Sequence, residues 1–269
     1  MGDIEERLAW AEAIAAEVGG TLTGAARAGL TAQAKGDKGI VTELDVQAEA
    51  RIAGSLAAAF PDDGLESEEG TRRAGSGRYR WVVDPLDGTT NFVAGLPMYA
   101  VSLACLDVAG AALGVVHAPA LGETFRAARR TPPAAPAMPP AALSAPAGLK
   151  QAVFIVNKAY RPAPVLWAVA GALMSSVRAF RTFGCVSLDL ALVAAGRADG
   201  LVLLPAEPWD VAAGLLLAAE AGLATGDLGG QPDPDGRAGV LVTHPALFES
   251  AAVLLNAPAL NAPALRTDR

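Results

Sequence analysis

The chain has 269 residues, of which 52% are hydrophobic and 18% charged, with 28 acidic against 21 basic side chains and a formal net charge of −7. So much apolar sequence excludes a disordered chain and allows a substantial folded interior, while the acidic balance argues against the basic stripe that a nucleic-acid surface needs. No run reaches the roughly 18 to 20 uninterrupted apolar residues of a membrane span, and the opening Met1-Gly2-Asp3-Ile4-Glu5-Glu6 is acidic rather than signal-like. The expected location is therefore cytoplasmic, with no membrane and no nucleic-acid partner.

Ile4, Leu8, Ala11, Ile14, Ala15 and Val18 recur at helical spacing and predict an amphipathic first helix over residues 4–18, closed by Gly19-Gly20. A second helix is predicted over 45–60, ending at the turn Pro61-Asp62-Asp63-Gly64. Short apolar strands follow at 79–83, 100–108 and 114–116, with Asp107 and Gly110 bracketing a hairpin turn. Residues 131–148 are almost all Pro and Ala, too proline-rich for an interior element, and read as a surface connection. It divides a single domain, 1–269, into an N-terminal half with mixed helices and strands, 1–148, and a C-terminal α/β half, 149–269. In the latter, a strand at 152–156, a helix at 164–174, a strand-like 177–180, a helix at 187–195 and a strand at 200–204 alternate as in an α/β protein. The last predicted helix, 211–221, is apolar nearly all round and belongs inside.

The chemistry concentrates in Trp81-Val82-Val83-Asp84-Pro85-Leu86-Asp87-Gly88-Thr89-Thr90-Asn91-Phe92. Pro85 is expected to stop the strand, which leaves Asp84 at its end, and Asp87 is placed to N-cap a short helix beginning at Gly88-Thr89-Thr90. A glycine at a helix start suits an anion, and Asp84, the Leu86 carbonyl and Asp87 can converge on a hard cation that prefers oxygen ligands. A capped turn, in which both aspartates only satisfy nearby amides, is the ordinary alternative. Three other acidic segments stand beside this one: Lys35-Gly36-Asp37-Lys38-Gly39-Ile40-Val41-Thr42-Glu43-Leu44-Asp45, Glu66-Ser67-Glu68-Glu69-Gly70 and Trp209-Asp210. Singly, Asp45 reads as a cap or solvated helix residue, Glu68 and Glu69 as an acidic turn, and Asp210 as a cap. Gathered round one pocket, such carboxylates would require a divalent cation as counter-charge.

Taken together these segments resemble the inositol monophosphatase family, magnesium-dependent and lithium-sensitive phosphatases, over most of the chain. The opening motif matches nearly residue for residue. Pro208-Trp209-Asp210-Val211-Ala212-Ala213-Gly214 with Glu220-Ala221-Gly222 looks like the second family motif, and Gly184-Cys185-Val186-Ser187-Leu188-Asp189 through Gly200 is similar to the glycine-plus-helix segment between them. The resemblance implies a layered α/β/α/β/α sandwich. It also implies one Mg²⁺ held by Glu68, Asp84 and the Leu86 carbonyl, a second by Asp84, Asp87 and Asp210, and a third through Glu68 and waters, with Mn²⁺ as a substitute. Water activated by the cations and positioned by Thr89 with Thr42 and Asp45, Glu68 contributing, would attack a phosphate cradled by Gly88 and Thr89. Relatives of this type are commonly homodimers.

The departures concern the substrate. Gly184, Cys185, Val186 and Leu203 fall at the expected substrate groove beside Asp87 and Asp210, yet Leu203 stands where inositol phosphatases usually carry a glutamate that bonds ring hydroxyls. Losing that acceptor relaxes or redirects polyol selectivity. The expected activity is release of phosphate from a small phosphorylated polyol, inositol 1-phosphate first. Histidinol phosphate, 3′-phosphoadenosine 5′-phosphate and fructose 1,6-bisphosphate are rival substrates, and a non-catalytic interaction protein on the same scaffold is a rival class. Cys105 and Cys185 read as buried thiols, His117 and His244 as structural or surface residues, and Arg126, Arg129 and Arg130 as a solvated surface cluster.

Overall fold

The computed structural model describes residues 2–26, 32–34, 40–129, 146–159, 163–233 and 236–256. The segment 35–39, Arg130, the proline-rich connection up to residue 145 and the side chain of Thr42 lie outside the described residues.

In chain order the elements are α1 (Gly2–Ala26), β1 (Ala32–Ala34), β2 (Ile40–Thr42), α2 (Glu43–Ala59), β3 (Gly64–Ser67), β4 (Arg72–Arg73), β5 (Arg80–Asp87), α3 (Thr89–Val93), β6 (Ala100–Asp107), β7 (Gly110–Ala118) and β8 (Glu123–Ala128). There follow β9 (Val153–Asn157), α4 (Ala163–Ser176), β10 (Ala179–Arg181), α5 (Val186–Ala194), β11 (Gly200–Leu203), α6 (Pro208–Glu220), β12 (Ala224–Gly226), β13 (Val240–Thr243) and α7 (Pro245–Leu255). A six-stranded sheet runs β4-β3-β5-β6-β7-β8, a five-stranded sheet runs β10-β9-β11-β13-β12, and β1 pairs with β2. Both larger sheets are mixed: β3 is parallel to β5 and β9 to β10 and β11, and the remaining pairs are antiparallel.

Strand residues alternate between faces, and here both faces are covered. Trp81, Val83, Val101, Leu103, Leu113 and Val115 turn to α1 and α2, whereas Val82, Ala100, Ala104 and Val116 turn to the middle of the molecule. There they meet α5, α6 and the inner face of the second sheet, Ile155, Leu201, Leu203, Val240 and Val242. Phe154, Val156, Val202 and Leu241 point outward under α4 and α7. The result is the α/β/α/β/α layering expected of the sequence, with α5 and α6 as its central layer. No helix among the described residues is long and apolar enough to cross a membrane. Cys105 and Cys185 are buried free thiols.

Several boundaries differ from the sequence reading, each for a local reason. Helix α1 passes through Gly19-Gly20, because Leu22 continues the buried stripe of Ala15 and Val18 and burial outweighs the roughly 1 kcal/mol a glycine costs in a helix. Strand β5 continues through Pro85 to Asp87. The register slips there, from Asp84 opposite Ser102 to Asp87 opposite Ala100, so proline occupies an irregularity instead of a regular ladder position. His117 lies within β7, its Nδ1 2.8 Å from Thr124 Oγ1. Arg126 is exposed, as expected of a surface residue, and pairs with Glu12 at 2.6 Å, whereas Arg129 is half-buried and donates to both oxygens of Asp107 at 2.8 Å. Strands β3, β4, β8, β12 and β13 and helix α7 were outside the sequence reading; most are short, and His244 caps α7 by accepting the Ala246 amide at 3.2 Å.

Candidate active site

The bulged end of β5 delivers Asp84 and Asp87 to the boundary between the six-stranded sheet and the central helices. Gly88, not Asp87, is the N-cap of α3; it has φ 83°, and a Cβ there would lie 2.7 Å from the Met98 carbonyl oxygen, so only glycine fits. Asp87 is turned instead to α5. Its Oδ2 accepts the Ser187 amide at 2.6 Å and the Ser187 hydroxyl at 2.7 Å, and its carbonyl receives the Cys185 thiol at 3.4 Å. Gly184, at φ 81°, makes the turn that brings α5 to this point, with Asn91 Nδ2 donating to the Phe183 carbonyl at 2.6 Å.

Asp210 is not the cap of α6 but its third residue. Pro208 opens the helix, Glu207 is the N-cap, and Asp210 Oδ2 accepts the Glu207 amide at 3.0 Å, the side-chain half of a capping box. Asp45, in the first turn of α2, receives the Thr89 hydroxyl at 3.2 Å, and the Leu86 carbonyl lies 3.0 Å from the same hydroxyl. The single Thr89 proton serves one of these two acceptors at a time. Glu68 follows β3, half-buried, and its carboxyl is among the like-charged neighbours that raise Asp84.

Asp84 and Asp210 are each only 1% exposed. Burial, then the neighbouring Glu68, Asp87 and Asp210, pushes the Asp84 carboxyl well above the usual carboxylate range. Burial and Asp87 do the same to Asp210. Asp87 is raised by burial, with the Ser187 hydroxyl and amide pulling the other way. Four carboxyl groups from three separate stretches of chain thus act on one another, and the charges that weigh most on Asp84 are all of its own sign. This oxygen-only donor set fits a hard divalent cation and does not suit zinc. Among the described residues no three His, Cys, Asp or Glu side chains stand ready-made as a ligand set; Asp84 Oδ1 accepts the Leu86 amide at 3.0 Å, as Asp87 and Asp210 accept theirs.

The residues expected at the substrate groove are less open than the sequence suggests. Leu203 and Cys185 are fully buried and Val186 nearly so, all within the central-layer core. Sequence reading overlooked Glu49, whose two oxygens accept the amides of Glu69 and Thr71, and the buried pair Asn157 and Asp189, joined at 2.7 Å. Glu49 had a signal in its position four residues after Asp45; Asn157 had none.

The layered fold and its acidic junction define an α/β/α/β/α protein with a candidate cation pocket between sheet and central helices. The chain belongs to the inositol monophosphatase family, whose family model matches residues 3–265. It is 36% identical to a fructose-1,6-bisphosphatase/inositol-1-monophosphatase of Thermotoga maritima, over 73% of this chain and 74% of that one. It is likewise 36% identical to the Nus factor SuhB of Escherichia coli, over 74% and 76% of the two chains. The fold superposes on the solved Thermotoga maritima IMPase with a TM-score of 0.83 at 29% identity, covering 95% of this chain and 98% of that one.

Proposed function

We propose that the chain is a divalent-cation-dependent phosphomonoesterase acting on a small phosphorylated polyol, with inositol 1-phosphate as the first substrate. One observation supports this reading: Asp84, Asp87 and Asp210, from two distant stretches of chain, are buried, and the Asp84 and Asp210 carboxyls are pushed up by burial and by like-charged neighbours, Glu68 among them. Glu68, Asp84, the Leu86 carbonyl, Asp87 and Asp210 would hold two to three Mg²⁺ ions, or Mn²⁺, with Li⁺ inhibiting. When bound, the cations supply charge neutralisation at the phosphoryl oxygens and lower the pKa of the attacking water.

The chain's own residues do the rest. The Thr89 hydroxyl donates to Asp45 or the Leu86 carbonyl, which leaves its oxygen lone pairs free to accept a hydrogen bond from the attacking water and orient it. Ser187 fixes Asp87 from the far side, and Gly88, packed where a Cβ would meet the Met98 carbonyl, holds the left-handed turn that starts α3 and would turn its backbone amides to the phosphate. Leu203, buried in the central-layer core, offers no polar group to a substrate hydroxyl. The reading includes a cytoplasmic homodimer. It is tested with a panel of phosphorylated metabolites assayed with Mg²⁺, with and without Li⁺: inositol 1-phosphate should be hydrolysed only with Mg²⁺. Turnover of histidinol phosphate, 3′-phosphoadenosine 5′-phosphate or fructose 1,6-bisphosphate alone would replace the substrate.

A second reading is a non-catalytic interaction protein on this scaffold, favoured by the similarity to a protein named as a Nus factor. Absence of Mg²⁺ binding together with absence of turnover on the whole panel would select it.

A further inference from the structure

Glu49 is buried in α2, 5% exposed, one helical turn beyond Asp45. Its Oε2 accepts the Glu69 amide at 2.9 Å and its Oε1 the Thr71 amide at 2.8 Å. These are the first and third amides after Glu68. On the other side, the Glu68 amide itself donates to the Val83 carbonyl at 3.1 Å, one residue before Asp84. The turn between is closed on itself, Ser67 N donating to the Thr71 carbonyl at 3.1 Å and Gly70 N to the Ser67 carbonyl at 3.2 Å. The backbone carrying Glu68 is therefore clamped between a helix and the strand that carries Asp84.

This clamp is more than the turn needs for its own sake. Glu69 is half-buried and Gly70 exposed, so water could satisfy amides at this rim. A buried anion has been used instead, and burying one is costly unless it is fully hydrogen-bonded. What the cost secures is stiffness in the residue that faces Asp84. Side chains at i and i+4 share a helix face, so α2 presents Asp45 to Thr89 and Glu49 to the Glu68 turn as one rigid unit.

We infer that Glu49 is a positioning residue: it fixes Glu68 against Asp84 and thereby sets the affinity of the acidic pocket for divalent cations. The inference rests on the proposed function only in taking that pocket to be a cation site. Outer residues that orient ligands typically alter metal affinity by about 10- to 100-fold when replaced.

The experiment is direct Mn²⁺ binding, followed by electron paramagnetic resonance of the free ion, with Mg²⁺ in competition and no substrate present. Wild type is compared with E49Q, E49A and, as a control for lost stability alone, D63N. Asp63 takes a two-pronged bond from Arg7 at 2.9 Å and the Trp81 indole at 3.0 Å, under α1. E49Q and E49A should weaken Mn²⁺ binding by about 10-fold or more, whereas D63N should lower the melting temperature and leave the binding constant unchanged. Wild-type affinity in a folded E49Q overturns the inference while leaving the proposed function standing; a wild type that binds no Mn²⁺ or Mg²⁺ overturns both. Should both Glu49 variants fail to fold, amide exchange in the wild type decides. Saturating Mg²⁺ should slow exchange at Glu69 and Thr71, and unchanged rates overturn the inference.

Discussion

Ser187 gives both its backbone amide and its hydroxyl to one oxygen of Asp87, at 2.6 and 2.7 Å. The contact joins the first turn of α5 in the central layer to the end of β5 in the six-stranded sheet, and Ser187 is fully buried. A hydroxyl bonded to a charged acceptor contributes about 1.5–3 kcal/mol, because deleting it strands part of that acceptor away from water. Ser187→Ala should lose stability of this order in urea denaturation and also lower cation-dependent turnover, since Asp87 then has one tether instead of two. Unchanged midpoint and unchanged turnover would show that the pair does not hold the site.

Neutralising a member of the acidic pocket should separate stability from function. Asp84→Asn and Asp210→Asn keep a side-chain oxygen for the Leu86 and Glu207 amides but remove a charge that burial and like neighbours oppose. Both variants should melt no lower than wild type in EDTA, and both should lose the stabilisation that Mg²⁺ gives wild type through binding to the folded state. Phosphate release should fall by about 10²-fold or more, the scale of losing one electrostatic partner in a preorganised site. A D84N or D210N variant with near-native turnover would remove the basis for the proposed chemistry.

What could be read in the sequence was whatever repeats with a period or sits beside a motif. Val82 and its neighbours in β5, the apolar face of α2 and the nearly all-apolar α6 follow directly from alternation and helical spacing. Asp84, Asp87 and Asp210 were legible because a proline, a glycine or a helix start stands next to each, and Glu68 because it lies in an acidic turn that closes on Gly70. The roles of Asp87 and Asp210 were not, since whether an aspartate caps its own helix or turns to another element depends on tertiary contacts: Asp87 meets Ser187, 100 residues further along. Glu49 and Asn157 escaped for the same reason, as their partners are backbone amides and a carboxylate that only the fold brings near. Leu203 was read as a groove residue from its distance to Asp210, while strand alternation turns it into the central-layer core.

The adjacent Gly19 and Gly20 within α1 make a paired test of why that helix does not stop. Gly20 is exposed, and a Cβ added there would meet nothing within 4 Å, whereas a Cβ on Gly19 would lie 2.5 Å from His117 Cδ2 and 3.0 Å from Pro119 Cβ. The His117 ring cannot swing aside without losing Thr124, 2.8 Å from its Nδ1. Gly20→Ala should stabilise by up to about 1 kcal/mol, the helix-propensity difference, while Gly19→Ala should destabilise by about 1–3 kcal/mol through overpacking. Thermal melts of the two variants with opposite signs bear this out; equal and positive shifts would mean that α1 and β7 are not in close contact.

A different aspartate ties stability to acid. Asp107 closes the β6–β7 hairpin, where Arg129 donates to both its oxygens and Arg78 to one, each at 2.8 Å, and the Ala109 amide adds a bond at 2.9 Å. Burial alone would raise this carboxyl, but the two guanidinium groups and the amide hold it down at about 2 against an ordinary value of 3.8. A group held lower in the folded than in the unfolded chain contributes its full stabilisation above the unfolded value and loses it as pH falls toward the folded one. The window is therefore about pH 4 to 2. Asp107→Asn should be less stable than wild type at pH 6, and the gap between their denaturation midpoints should close as pH is lowered through that window. Because the other carboxylates titrate alike in both proteins, the difference isolates Asp107, and a gap that stays constant down to pH 2 would show that the two arginines do not hold it in its charged form.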